Sequence, residues 1–156
     1  MSSRLLPLKL GLFAALIIGG LSVAAPPKEA SGPHVDLIVI DGGINPAVDD
    51  FIRESIGRAR SKGARALIIQ LDTPGGLLTS TRSIVKDILG ASVPVMVYVA
   101  PSGAGAGSAG VFITLSAHIA AMAPGTNIGA AHPVAGGGQE VKGGMGEKIE
   151  NFTASF

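Results

Sequence analysis

"ARALIIQLDTPGG", residues 64–76, is a short apolar run that ends in a proline and two glycines. Such a run is typical of a buried strand in a parallel sheet. Two other segments have the same form, "HVDLIVIDG" at 34–42 and "VPVMVYVAP" at 93–101, and "HIAAMAPG" at 118–125 is a weaker fourth. We therefore predict parallel strands in these segments, fully buried in the sheet.

Two amphipathic segments, residues 46–63 and 77–90, separate the first three strands. Each places apolar side chains on one helical face, and Gly63 and Gly90 are suitable helix stops. The side chains expected on these faces are Val48, Phe51, Ile52, Ile56 and Ala59 in the first helix, and Leu78, Ile84, Val85 and Ile88 in the second. Strands that alternate with helices require right-handed crossovers, so the predicted fold is α/β, with a parallel sheet covered by helices.

Three glycine-rich loops follow the predicted strands. They are "DGGIN" at 41–45, "DTPGG" at 72–76 and "PSGAGAGSAGVF" at 101–112. Ligands of open parallel sheets bind beyond the carboxyl ends of the strands. The sequence therefore predicts that these loops converge at one end of the sheet and form a site there.

The composition fits one domain and excludes several kinds of site. The chain has 156 residues, of which 47% are hydrophobic, and no cysteine. Disulfides, thiolate nucleophiles and thiolate metal sites are therefore excluded. The histidines His34, His118 and His132 lie at least 14 positions apart and have no helical i, i+4 pairing, which argues against a metal site.

Residues 1–24 have the pattern of a secretory signal peptide, with Arg4 and Lys9 before an apolar run at 10–21. The alternative is an uncleaved anchor helix. Residues 25–33 are rich in proline and polar residues and are predicted to be a linker. Removal of the leader changes the balance from 12 bases and 11 acids to 10 and 11, so no basic patch for nucleic acid is expected.

Several known glycine-rich motifs do not fit the stretch at 101–112. Gly105, Gly107 and Gly110 match a dinucleotide fingerprint, but the next acid is Glu140, about ten positions too late for a ribose ligand. No Gly-Lys-Ser/Thr of a phosphate-binding loop occurs. A nucleophile elbow would require glycine at Ala106, together with an acid and a histidine in that order.

Ser108 is the candidate nucleophile that remains. We predict that it starts the helix "SAGVFITLSA", whose free first-turn amides favour an oxyanion, and the alternative is a serine that only caps this helix. Ser102 is predicted to be a turn residue. A serine needs a base, and His132 and Lys148 are the candidates. Lys148 would need a pKa well below its usual value, whereas His132 would not.

Four segments together resemble the amino-terminal serine-protease domain of the NfeD family, membrane-bound relatives of Clp protease that are encoded beside stomatin-like proteins. They are "ALIIQLDTPGG", "VPVMVYVAPSGAGAGSAG", "HIAAMAPGTNIGAAHPV" and "EKIENF". The resemblance runs from about Val35 to Phe152. It implies a Clp/crotonase-like superhelix of β-β-α units over residues 34–156, and we expect this domain to be carboxyl-terminally truncated because family members continue beyond it.

The resemblance assigns roles to individual residues. Ser108 matches the nucleophile, and Lys148 matches the lysine that is the general base of a Ser-Lys dyad in this family. Gly76 and Ala109 match the residues whose backbone amides form the oxyanion hole. His132 falls where the soluble Clp relatives have a catalytic histidine, but the family uses the lysine, so we expect Lys148 to be the base.

The implied activity is that of a serine endopeptidase that cleaves apolar segments of membrane proteins, with a stomatin-like protein as substrate or partner. The resemblance implies no cofactor and no metal. We expect an exported domain on the periplasmic or extracytoplasmic side, associated with the membrane and homo-oligomeric. The alternative is a catalytically inactive peptide-binding module or a non-functional fragment of such a protease.

Overall fold

The computed structural model describes residues 32–131. The predicted leader at 1–24, nearly all of the predicted linker and the residues from His132 onward lie outside the described residues. The described elements are, in chain order, β1 (Asp36–Asp41), α1 (Pro46–Ser61), β2 (Leu67–Asp72), α2 (Leu78–Leu89), β3 (Val95–Val99), β4 (Gly105–Gly107), α3 (Ala109–Leu115), β5 (Ile119–Met122) and β6 (Asn127–Gly129).

The main sheet has four strands in the order β1-β2-β3-β5, and every pair in it is parallel. Leu37 lies beside Ile68, which lies beside Met96, and Met96 lies beside Ile119. A helix follows each of the first three strands before the chain enters the next strand of this sheet. The predicted parallel α/β arrangement is therefore confirmed, including the weaker fourth strand.

A second sheet of two parallel strands, β4 and β6, was not expected from the sequence. Each strand has three residues, and three of the six are glycine. These segments carry no apolar run of the kind that predicts a strand. The two segments lie about twenty residues apart in the chain and pair only after folding. A local sequence pattern therefore does not predict them.

The hydrophobic core lies on one face of the main sheet. It combines alternate residues of the strands with Ile52 and Ala59 of α1 and Ile84 and Ile88 of α2. The strands are not buried on both faces as predicted, because Leu37 and Val39 of β1 are 59% and 55% exposed. Two predicted core residues are also outside it: Phe51 and Leu78 are 40% and 37% exposed, at the edges of their helical faces.

Local capping explains where the first helix begins and ends. The side chain of Asn45 accepts a hydrogen bond from the backbone N–H of Val48 at 3.1 Å, and Pro46 occupies the first helical position. Gly63 follows the carboxyl-terminal cap with φ +69°, a conformation that glycine adopts without strain. Since Asn45 is the last residue of the first glycine-rich loop, this hydrogen bond also joins the end of that loop to the first turn of α1.

Candidate active site

The first two glycine-rich loops join at the carboxyl end of β1 and β2. The backbone N–H of Ile44 donates to the carbonyl of Gly75 at 2.8 Å, and the N–H of Leu77 donates to the carbonyl of Ile44 at 2.9 Å. Residue 76 has no space for a side chain, because a Cβ there would collide with the backbone of Ile44. The glycines of "DTPGG" therefore allow two main-chain segments to approach closely.

The second loop is also bound to the third, which carries Ser108. The N–H of Thr73 donates to the carbonyl of Gly105, and the N–H of Gly107 donates to the carbonyl of Thr73, both at 2.8 Å. The carboxylate of Asp72 accepts a hydrogen bond from the N–H of Gly105 at 2.9 Å. The three loops thus converge at one end of the sheet, as the sequence predicts.

Ser108 links β4 to α3 with an unusual backbone conformation, φ 46° and ψ −104°. A positive φ is uncommon for residues other than glycine and costs on the order of 1–3 kcal/mol, so surrounding contacts must impose it. One such contact is the hydrogen bond from the N–H of Ser108 to the carbonyl of Gly129 at 2.9 Å. The turn therefore holds the serine in a fixed orientation.

The hydroxyl of Ser108 is not used to cap the helix. The helix begins at Ala109, one residue later than predicted, and Ser108 makes no side-chain capping hydrogen bond. Ser108 therefore stands at the N-cap position of α3 without the side-chain hydrogen bond that a capping role would use. A partly exposed hydroxyl on a strained turn remains available for chemistry.

Gly75 lies directly against the side chain of Ser108. A Cβ on residue 75 would be 2.8 Å from the Cβ of Ser108 and 3.3 Å from its Oγ. Gly107 is equally confined, because a Cβ there would lie 2.8 Å from the carbonyl oxygen of Pro74. Only glycine fits at either position, so the "DTPGG" loop and the serine turn pack main chain against main chain.

The two predicted oxyanion-hole amides belong to the residues that directly follow Gly75 and Ser108 in the sequence. Within residues 32–131 the N–H groups of Gly76 and Ala109 donate no hydrogen bond to another protein group. Gly76 follows the residue packed on Ser108, and Ala109 follows Ser108 itself. Among the described residues, both amides therefore lack an acceptor, and both are close in sequence to the contact between Gly75 and Ser108.

The candidate bases His132 and Lys148 lie outside the described residues. The two histidines that are described lie away from the carboxyl ends of the strands: His34 precedes β1, and Nδ1 of His118 accepts a hydrogen bond from the N–H of Val95, the first residue of β3. Ser102 lies in a turn, as predicted, with a 2.9 Å hydrogen bond from Ala104 N–H to the carbonyl of residue 101 closing it.

The family model of the NfeD1b N-terminal domain matches residues 34–151, which is most of the chain. This chain belongs to the NfeD1b N-terminal domain family. The resemblance that we derived from the four sequence segments is thereby confirmed.

Two relatives are named as membrane proteins. Membrane-bound protease PH1510 of Pyrococcus horikoshii is 45% identical over 97 residues, which cover 62% of this chain and 22% of the relative. Membrane protein NfeD1b of Bacillus subtilis is 32% identical over 129 residues, which cover 83% of this chain and 28% of the relative. The chain thus spans less than a third of the length of either relative. Residues 32–131 contain no helix with the length and apolarity needed to cross a bilayer.

Two solved structures of 1510-N, described as a membrane-bound stomatin-specific protease, are similar to this chain. A variant with one serine replaced by alanine has a TM-score of 0.72 at 37% identity, covering 79% of this chain and 60% of the other. A variant with one lysine replaced by alanine, in complex with a substrate peptide, has a TM-score of 0.66 at 42% identity, covering 69% and 49%.

The fold is also similar to that of a Clp protease. ClpP1 from Listeria monocytogenes has a TM-score of 0.60 at 21% identity, covering 72% of this chain and 64% of the other. At this identity the similarity reports the fold alone. It confirms the Clp-like α/β fold that the sequence resemblance implies.

Proposed function

We propose that this chain is the catalytic domain of a membrane-associated serine endopeptidase with Ser108 as the nucleophile. The observation that carries the proposal is the conformation of Ser108. Its backbone is held at φ 46°, its hydroxyl makes no capping hydrogen bond to α3, and its side chain packs against Gly75. Strain of this kind is maintained where the orientation of a side chain matters. The amides of Gly76 and Ala109, which have no acceptor within residues 32–131, add donors for a developing negative charge.

In this proposal Oγ of Ser108 attacks the substrate carbonyl carbon while Lys148 accepts the hydroxyl proton. The carbonyl oxygen becomes an oxyanion that accepts hydrogen bonds from the N–H groups of Gly76 and Ala109. The tetrahedral intermediate then collapses, the C–N bond breaks, and Lys148 returns the proton to the leaving amine. Water hydrolyses the acyl-enzyme by the same steps. One oxyanion donor stabilises the transition state by about 3 kcal/mol.

The spacing of the proposed dyad is supported by the solved relatives. The serine and the lysine that are replaced by alanine in the two 1510-N structures lie 41 positions apart. Ser108 and Lys148 lie 40 positions apart. The choice of Lys148 over His132 rests on this spacing and on the family resemblance.

The proposed substrate is an apolar segment of a stomatin-like membrane protein. The support is the name of the similar solved protease, which is described as stomatin-specific and was solved with a substrate peptide. Because related proteins are membrane proteins and residues 1–24 have the pattern of a signal peptide, we place the domain on the extracytoplasmic side of the membrane. We also propose that it acts as a homo-oligomer.

A fluorophosphonate probe tests the nucleophile. Its phosphorus forms a bond to an activated serine oxygen as fluoride leaves, so labelling reports nucleophilicity without knowledge of the substrate. We expect the full chain to be labelled, Ser108→Ala to be unlabelled, and Ser102→Ala to be labelled like the wild type. Ser102 is a matched control because it lies in the same glycine-rich stretch, in an exposed turn.

Labelling that survives Ser108→Ala would overturn the assignment of Ser108. An unlabelled wild type that still binds an apolar peptide equally well with and without Ser108 would identify the alternative function, a peptide-binding module. Mass spectrometry of the peptide after incubation distinguishes the two, since only the endopeptidase produces cleavage products.

A further inference from the structure

Thr73 has a hydroxyl that is bound to both polar groups of Gly75. Its Oγ1 accepts a hydrogen bond from the N–H of Gly75 at 3.1 Å and donates to the carbonyl of the same residue at 3.2 Å. Thr73 is 1% exposed, so these bonds are shielded from bulk solvent. Its hydroxyl therefore fixes the glycine that packs on Ser108.

The carbonyl of Gly75 belongs to the same peptide unit as the N–H of Gly76. That carbonyl accepts hydrogen bonds from Thr73 Oγ1 and from the N–H of Ile44. In a planar trans peptide the N–H points opposite to the C=O, so the two donors also set the direction of the Gly76 N–H. Hydrogen bonds to a carbonyl polarise its peptide unit and strengthen the N–H as a donor.

Thr73 also touches the other half of the site. Its backbone pairs with Gly105 and Gly107 of β4, and its methyl group fills the space beside Gly110, where an added Cβ would lie 2.7 Å from Cγ2. The residue thus contacts the segments before and after Ser108 through backbone and methyl. Only its hydroxyl acts on the Gly75–Gly76 peptide.

We propose that Thr73 is a positioning residue for the oxyanion hole, and that its hydroxyl orients and polarises the peptide whose N–H is the Gly76 donor. This inference rests on the proposed function of Ser108 and Gly76. It separates two roles within one side chain: the hydroxyl orients the peptide that binds the oxyanion, and the methyl group packs beside Gly110.

The two roles are separated by Thr73→Val, which keeps the methyl group, and Thr73→Ser, which keeps the hydroxyl. Complete loss of one oxyanion donor lowers the rate about 10²–10³-fold. Because Ile44 still holds the Gly75 carbonyl, we expect Thr73→Val to lower the fluorophosphonate rate constant kinact by about 10- to 100-fold, with KI unchanged. Thr73→Ser is expected to keep kinact near that of the wild type.

Thr114→Val is the matched control for the loss of a buried hydroxyl. Thr114 is 2% exposed and its Oγ1 donates to the carbonyl of Gly110 at 2.7 Å, within α3. We expect this variant to keep the wild-type kinact even if its free energy of unfolding is lower. If Thr73→Val leaves kinact unchanged, or if Thr73→Ser or Thr114→Val lowers it as much, Thr73 has only a structural role and the proposal is wrong, while labelling of Ser108 stands.

A second measurement judges the inference even if the wild type is not labelled and the proposed function fails. In ¹H–¹⁵N NMR spectra of the full chain, Thr73→Val is expected to shift the Gly76 amide signal and to accelerate hydrogen exchange of the Gly75 amide, which loses its bond to Oγ1, and Thr114→Val is not. A Gly76 signal that is the same in Thr73→Val and the wild type would overturn the positioning role by itself.

Discussion

Gly75 and Ser108 pack so closely that a Cβ on residue 75 would lie 2.8 Å from the Cβ of Ser108. Real Cβ atoms essentially never approach each other this closely, so a side chain at position 75 requires the serine turn to move. The serine already has a positive φ, and its N–H donates a hydrogen bond to the carbonyl of Gly129. The position of the candidate nucleophile therefore depends on the absence of a side chain on its neighbour.

Gly75→Ala is expected to remove nearly all labelling by the fluorophosphonate. A displacement of about 1 Å at a reacting group is enough to lower a rate about 10²-fold. Gly42→Ala is the control, because Gly42 has φ +127° and Gly75 has φ +126°, yet nothing lies within 4 Å of a Cβ on Gly42. Both variants carry the cost of a positive φ, and only Gly75→Ala disturbs Ser108. Equal labelling of the two variants would contradict the packing argument.

Asn45→Ala is expected to lower the free energy of unfolding by about 1 kcal/mol, because α1 loses the side chain that caps its first turn. The capping bond that is lost is the 3.1 Å hydrogen bond from the N–H of Val48, and the bond from Asn45 Nδ2 to the carbonyl of Gly43 is lost with it. Asn45→Asp should keep most of the stability, since its carboxylate accepts the same bond. Urea unfolding measures both variants, and an alanine variant as stable as the wild type would show that the cap does not contribute.

The order of strands and helices could be predicted because it depends on local patterns. The apolar run at 64–76 and the helix with its stop at Gly63 are visible in a single sequence, and the structure has them where expected. Burial could be predicted only in part. Leu37 looks like any other apolar strand residue, and its exposure depends on which face of the sheet the helices cover.

The site was predicted from chemistry and resemblance, but its geometry was not. Nothing in the propensities of serine predicts φ 46° at Ser108, because the turn is imposed by β4 and β6, which pair only in the folded chain. Thr73 was also missed as an individual residue. The signal available for it was its place between a buried strand and "PGG", where a hydroxyl can bind the backbone of the turn.

Ile69→Ala is expected to lower the free energy of unfolding by about 2–5 kcal/mol, because it leaves a cavity in the core. Ile69 is 0% exposed in the centre of β2. Leu37→Ala, on the uncovered face of β1, is expected to cost about 0.5 kcal/mol or less. Urea unfolding of the two variants tests which face of the sheet is buried. Similar costs for both would mean that the face bearing Leu37 is covered in solution.

The identity of the base gives the last prediction. A general base contributes about 10²–10⁴-fold to the rate of a step such as serine attack, so Lys148→Ala is expected to lose about that factor in kinact. His132→Ala is expected to react like the wild type. Lys148→Arg is a useful third variant, because it keeps a long basic side chain that stays protonated near neutral pH and so cannot accept a proton, and it should be as slow as Lys148→Ala. Loss of labelling in His132→Ala alone would make the histidine the base, although the sequence belongs to the NfeD1b N-terminal domain family.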